Sequence, residues 1–189
     1  LEKAIKDLLS VGKRPKAIIL VHLYGMPAML DRIIKISNNY NIPIIEDNAE
    51  GLGSKYKKKP LGSFGTFGVL SFNGNKIITT SSGGALISKN KNLINRARKL
   101  ASQSKEDKPY YEHLEVGYNY RLSNVCAAIG LGQLATLNQK VQKKRAINSY
   151  YRKNLAINTE VEFINEAKES FSNYWLTTII LKKNKLINR

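Results

Sequence analysis

The residues able to do chemistry are concentrated between Pro43 and Gly84. An apolar run, Pro43-Ile44-Ile45, ends abruptly in two acids, Glu46 and Asp47. A second run, Val69-Leu70-Ser71-Phe72, ends in Asn73-Gly74-Asn75, and one lysine, Lys76, then precedes Ile77 and Ile78. Glycines from Gly51 to Gly84 punctuate the segment. In open α/β sheets ligands bind outside the carboxyl ends of the strands, so an acid ending a buried run marks a site. A lysine set among apolar residues is a desolvated amine, suited to Schiff-base chemistry. One carboxylate and one such amine around a glycine-rich cradle fit pyridoxal 5'-phosphate, which needs a lysine for its imine, an acid against its pyridinium nitrogen and donors for its phosphate. Lys76 supplies the first, Asp47 the second, and Ser71, five residues before the lysine, a phosphate donor. The competing readings are plain. Lys76 could be one of many surface cations among 31 Lys and Arg, Asp47 a turn or cap carboxylate, and Ser71 an ordinary strand serine.

The elements that must position these residues follow from hydrophobic period. Residues 2–11 read as a helix with Ala4, Ile5, Leu8 and Leu9 on one face. Residues 16–21 read as a strand, its Ile18-Ile19-Leu20-Val21 run apolar throughout in the manner of a parallel strand buried on both faces. A helix over 29–39, with Leu30, Ile33, Ile34 and Ser37 inward, and a strand over 42–45 complete a right-handed βαβ unit. That unit places His22 and Asp47 at the same sheet edge. Residues 51–68 are loop-rich, and strands over 69–72 and 84–88 flank the Lys76 loop. A helix over 93–102 leads to a polar stretch, 103–109, a candidate mobile loop. Residues 122–155 are mostly helical, the composition shifts at Thr159, and 174–181 read as one strand.

The chain of 189 residues, 42% hydrophobic, can bury one sizeable core. No run approaches the ~20 apolar residues of a membrane span. The formal net charge of +17 raises the question of a polyanion. Its lysines are spread along every segment, however, and the one dense run, Lys57-Lys58-Lys59, reads as a solvated turn. Neither zinc spacing nor a nucleic-acid-binding motif is present, so nucleic acid and membrane are not expected partners. The single cysteine, Cys126, cannot pair within the chain. It reads as a buried structural thiol, and the chain as cytoplasmic.

Asp47-Asn48-Ala49-Glu50, Gly53-Ser54, Gly62, Gly65, Ser71-Phe72, Lys76, Thr79-Thr80 and Gly83-Gly84 together resemble the nucleotide-sugar aminotransferases named after DegT, DnrJ and StrS. Val21-His22-Leu23-Tyr24-Gly25 upstream and Gly117-Tyr118-Asn119-Tyr120-Arg121 downstream extend the likeness over nearly the whole chain. The resemblance implies an α/β fold of the aspartate aminotransferase kind, fold type I. This has a mixed, mostly parallel sheet with helices on both faces. It implies a partial cofactor-binding large domain over 1–120, then a linking helix and the start of a small C-terminal domain over 121–189, both ends of the chain reading as cut. It implies amino transfer from L-glutamate to a nucleotide-linked keto sugar, a UDP-4-keto-6-deoxy-hexose, in glycan or surface polysaccharide synthesis by a homodimer with a shared site. Lys76 and Asp47 would be catalytic. Glu50 would contact the cofactor's ring hydroxyl, and Asn119 would reach the phosphate across the dimer interface. Arg121 would fix its loop, and His22 would be structural. Dehydratase relatives carry histidine in place of Lys76, so the lysine favours transfer. A 3-keto sugar aminotransferase, a sugar dehydratase relative, or an inactive regulatory or polyanion-binding homologue are the alternatives.

Overall fold

The computed structural model describes residues 1–182 of the chain. Helix α1 (Glu2–Ser10) buries Ile5 and is followed by strand β1 (Ile18–Val21) and a single 3-10 turn, Leu23–Gly25. Helix α2 (Leu30–Tyr40) buries Leu30 and Ser37, seven residues apart and so on one face. It ends where Asn41 turns left-handed at φ 48°, its N–H closing on the Asn38 carbonyl. Strand β2 (Ile44–Asp47) follows, then a short hairpin of β3 (Lys55–Tyr56) and β4 (Lys59–Pro60), then β5 (Phe67–Ser71) and β6 (Gly84–Ile87). Helix α3 (Lys91–Ala101) is capped by the Asn90 side chain, which accepts from the N–H groups of Asn92 and Leu93. Helix α4 (Asn124–Leu134) is capped by Ser123 and leads into α5 (Leu137–Leu155). Strands β7 (Val161–Phe163), β8 (Ser170–Phe171) and β9 (Ile179–Leu181) close the described chain.

The main sheet runs β1-β2-β5-β6. The first three strands are parallel and β6 is antiparallel to β5. Val21 lies beside Asp47 and Asp47 beside Val69, while Ser71 pairs with Gly84. Side chains alternate across a strand, so these pairings sort the sheet into two faces. One face carries Ile18, Leu20 and Ile44, packed with Ile5, Leu30, Ile42 and Leu61 into the main core. Each such side chain stabilises the fold by roughly 1.5–3 kcal/mol on burial. The other carries Ile19, Val21, Asp47, Val69 and Leu86.

Among the described residues, the continuous apolar run of β1 is therefore covered on one face only. Ile19 is 70% exposed and Val21 46%, because α1 and α2 both pack on the opposite side. Other departures are local. β2 runs through Glu46 and Asp47, so the two acids are its last residues rather than a turn after it. The helical stretch 122–155 is two helices, broken where Thr136 turns its hydroxyl onto the Gln133 carbonyl. Only Ile179–Leu181 of the expected 174–181 strand is extended and paired, with β7. Tyr174 instead takes a left-handed φ of 46° and is buried. Cys126 is half-buried rather than enclosed, since α4 exposes apolar residues around it, including Val125, Ile129 and Leu131. The polar stretch 103–109 is tied down by backbone bonds from Gln103 to Tyr118 and from Glu106 to Glu112. No helix among the described residues is long and apolar enough to cross a membrane.

Candidate active site

The two acids that end β2 part company because neighbouring strand residues point to opposite faces. Glu46 turns inward and is completely buried. It accepts hydrogen bonds from His22 Nε2 at 3.0 Å, Gly62 N at 2.8 Å, and Phe64 N and Gly65 N at 2.6 Å each. His22 Nδ1 accepts the Ala28 N–H, so the ring proton sits on Nε2 and is given to Glu46. Burial opposes ionisation of Glu46, but the bonds from His22, Gly65, Gly62 and Phe64 outweigh it and hold the carboxyl below its ordinary range. Glu46 and His22 thus fasten the 62–65 loop to the sheet, and neither opens on a reaction space.

Asp47 turns to the opposite face, half-buried, where its Oδ1 accepts the Ala49 N–H at 3.1 Å. Ser71 lies on that same face at the end of the adjacent strand, two residues beyond Asp47's neighbour Val69. Its hydroxyl oxygen accepts weakly from Asn73 N at 3.4 Å, which leaves the hydroxyl proton to be donated elsewhere. From Ser71 the chain enters a closed loop. Phe72 N bonds to Gly83 O, Thr80 N to Phe72 O, and Lys76 N to Asn73 O. Ile77 and Ile78 are 8% and 2% exposed and root the loop in the interior. Gly83 sits at φ +91°, a conformation that suits glycine at the loop's return.

That anchoring brings Lys76 inward, its side chain 14% exposed. Its Nζ lies 3.8 Å from Glu50 Oε1 and 4.5 Å from the centre of the Trp175 ring. The other Glu50 oxygen accepts the Tyr24 N–H at 2.6 Å. Tyr24 holds φ 57° and ψ 20°, rare for a bulky residue and of the kind found at functional sites.

Trp175 lies in the segment expected as plain strand, and the structure brings it to Lys76 instead. It arrives on a buried clamp, Ser172-Asn173-Tyr174-Trp175. Ser54 and Ser172 hydroxyls both donate to the Gly25 carbonyl, at 2.7 and 3.0 Å. Asn173 N donates to Ser54 Oγ, and Asn173 Nδ2 to the carbonyls of Glu50 and Leu52. Trp175 N returns to Asn173 Oδ1, and its indole Nε1 donates to Asn75 O at 2.8 Å. The one available signal was compositional: this is the only tryptophan of the sequence, directly after an Asn-Tyr pair.

Lys76 and Glu50 are brought into contact, Asp47 and Ser71 share a sheet face, and Asn119 lies on a separate loop. It is exposed, and its backbone forms an isolated bridge with Ser102. Arg121 donates to Ser102 Oγ at 3.1 Å, as a loop-fixing residue would.

The chain matches, over residues 3–189, the pattern of the DegT/DnrJ/EryC1/StrS aminotransferase family. It is 48% identical over 181 residues to EpsN of Bacillus subtilis, a protein named for pyridoxal phosphate-dependent amino transfer, covering 96% of this chain and 47% of that one. It is 41% identical over 172 residues to the GDP-perosamine synthase of Escherichia coli O157:H7, covering 91% and 47%. Its fold matches the solved structure of Helicobacter pylori PseC, an aminotransferase involved in the biosynthesis of pseudoaminic acid. The TM-score is 0.87 at 26% identity, covering 96% of this chain and 49% of that one. The chain spans about half the length of the curated relatives it matches. With this pattern matched almost from end to end, the chain belongs to the DegT/DnrJ/EryC1/StrS aminotransferase family.

Proposed function

We propose that this chain carries part of a pyridoxal 5'-phosphate-dependent aminotransferase. The enzyme moves the amino group of L-glutamate to a nucleotide-linked keto sugar, a UDP-4-keto-6-deoxy-hexose, for glycan assembly in the cytoplasm. The observation that carries this reading is Lys76. It is the one lysine of a closed, interior-rooted loop, and its amine lies 3.8 Å from Glu50, three residues after Asp47. The likeness to sugar-modifying relatives, GDP-perosamine synthase among them, supports the substrate class.

The side chains fit the cofactor. Ser71 keeps a hydroxyl proton to give, and Asp47 offers a carboxylate on the open face of the sheet, with only the Ala49 N–H on it among the described residues. The cofactor supplies an electron sink joined covalently to an amine. Lys76 Nζ would be the point of attachment and the group that takes up and returns a proton. Asp47 would hold a proton at the ring nitrogen, Ser71 would donate to the phosphate, and Glu50 would contact the ring hydroxyl. Asn119 serves the phosphate of the partner's site in a homodimer. The exposed apolar residues around it, Leu114, Val116, Tyr118, Tyr120 and Val125, support such an interface. Residues 1–120 form the cofactor-binding unit, and 121–189, of which 183–189 lie outside the described residues, begin a second.

Borohydride reduction of the full-length, cofactor-loaded enzyme, followed by peptide mapping, tests the assignment. The cofactor is expected on Lys76, and Lys76→Ala or Lys76→Arg is expected to abolish turnover. A label on another lysine, or on none, rejects it.

A further inference from the structure

The free amine of Lys76 is held by groups from distant parts of the chain. The Trp175 ring lies on one side, 4.5 Å from Nζ to centroid, and Glu50 Oε1 is 3.8 Å away. Only 14% of the lysine side chain meets solvent, and a polar group so enclosed needs partners. An aromatic face attracts an ammonium through its quadrupole, more strongly once water is excluded.

Each holder is itself fixed. The indole is 6% exposed, packs with Ile77 and Val141, and is bonded at its edge to the carbonyl of Asn75, the residue next to Lys76. Asn173, which orients the Trp175 backbone, also bonds to the Glu50 carbonyl. Ring and carboxylate are therefore set by one hydrogen-bonded unit. Glu50 is held from its other side by the Tyr24 N–H, on a backbone whose left-handed turn is imposed by its surroundings.

We propose that Trp175 and Glu50 are positioning residues that keep the unattached Lys76 amine in place, a proposal that rests on the role given to Lys76 above. A lysine stem is flexible and loses rotamer freedom when fixed. Two partners, a carboxylate and a ring face, leave the amine fewer positions than either would alone. The amine is then pinned and screened from solvent electrophiles whenever no covalent partner engages it.

The test uses the full-length enzyme freed of cofactor, methylated with formaldehyde and a borane, with the label at each lysine read by peptide mapping. The exposed Lys58 is the internal reference. Lys76 is expected to label far more slowly than Lys58. Trp175→Leu and Glu50→Gln are each expected to raise the Lys76-to-Lys58 ratio by about threefold to tenfold, the span of a partly desolvated cation–π contact or ion pair. Trp175→Phe keeps a ring face and is expected to restore most of the protection. An unchanged ratio in Trp175→Leu and Glu50→Gln overturns the proposal. Should Trp175→Leu fail to fold, Lys76→Met serves, read by indole emission. A shift absent from Lys58→Met is expected, and coincident spectra overturn the proposal. Borohydride mapping separates the two ideas. Cofactor on Lys76 with an unmoved labelling ratio removes only the positioning role, whereas cofactor on another lysine with a moved ratio removes only the assigned function.

Discussion

His22 Nε2 and Glu46 Oε2 meet at 3.0 Å with both side chains fully out of solvent. The pair looks like catalytic equipment and is scaffolding. The histidine's other nitrogen accepts a backbone N–H, and the carboxylate accepts from three further N–H groups of the 62–65 loop. Glu46→Gln replaces one acceptor oxygen with a donor facing donors. It is expected to destabilise the full-length enzyme by about 3 kcal/mol. Urea unfolding of the variant against the parent checks this.

The same carboxylate sets an acid limit. Its pKa in the folded protein is held below the ordinary 4.5. The unfolded chain therefore binds the proton more readily. The stabilisation is complete above the unfolded value and is lost as pH falls through the folded one. Unfolding free energy measured between pH 7 and pH 3 is expected to fall in the acid range for the parent, with a shallower fall in Glu46→Gln.

Gly25 marks where the clamp closes. It sits at φ +79°, and a Cβ there would stand 2.0 Å from Asn173 Oδ1 and 3.1 Å from the Glu50 carbonyl. Gly25→Ala is expected to cost about 2 kcal/mol or more, from backbone strain and overpacking together. Because Asn173 orients Trp175, the variant is also expected to change indole emission. A parental melting temperature and spectrum would show that the clamp yields freely.

Asp47→Asn is expected to retain much of the cofactor while slowing transfer by about two orders of magnitude or more, since a neutral amide cannot hold a proton at the ring nitrogen. Absorbance titration and single-turnover rates with L-glutamate separate the two effects. Transfer at the parental rate would make Asp47 structural.

Much of this was legible along the chain. The apolar period of α1 and α2, the runs that became β1 and β2, and the turn residues between them are local signals, because side-chain direction within one element follows its own repeat. Asp47, Ser71 and Lys76 stood out for the same reason: each follows, interrupts or precedes an apolar run. That Asp47 and Ser71 share a face needed only the strand register in addition.

Contacts between distant segments were not legible. Lys76 and Trp175 are 99 positions apart in the numbering, and no spacing rule links them. Their meeting depends on Asn173 finding the Glu50 and Leu52 carbonyls and on Tyr174 leaving the extended conformation that its apolar neighbours suggested. Nor does composition tell which of Glu46 and Asp47 is buried. Two adjacent acids on one strand go to opposite faces, and only the packing of both α1 and α2 on one side decided which was buried. The sequence alone determined the longer elements and the reactive residue types, because those are written in local period and chemistry. The tertiary structure decided which groups face one another, because burial and long-range hydrogen bonds belong to the assembled chain and to no single segment of it.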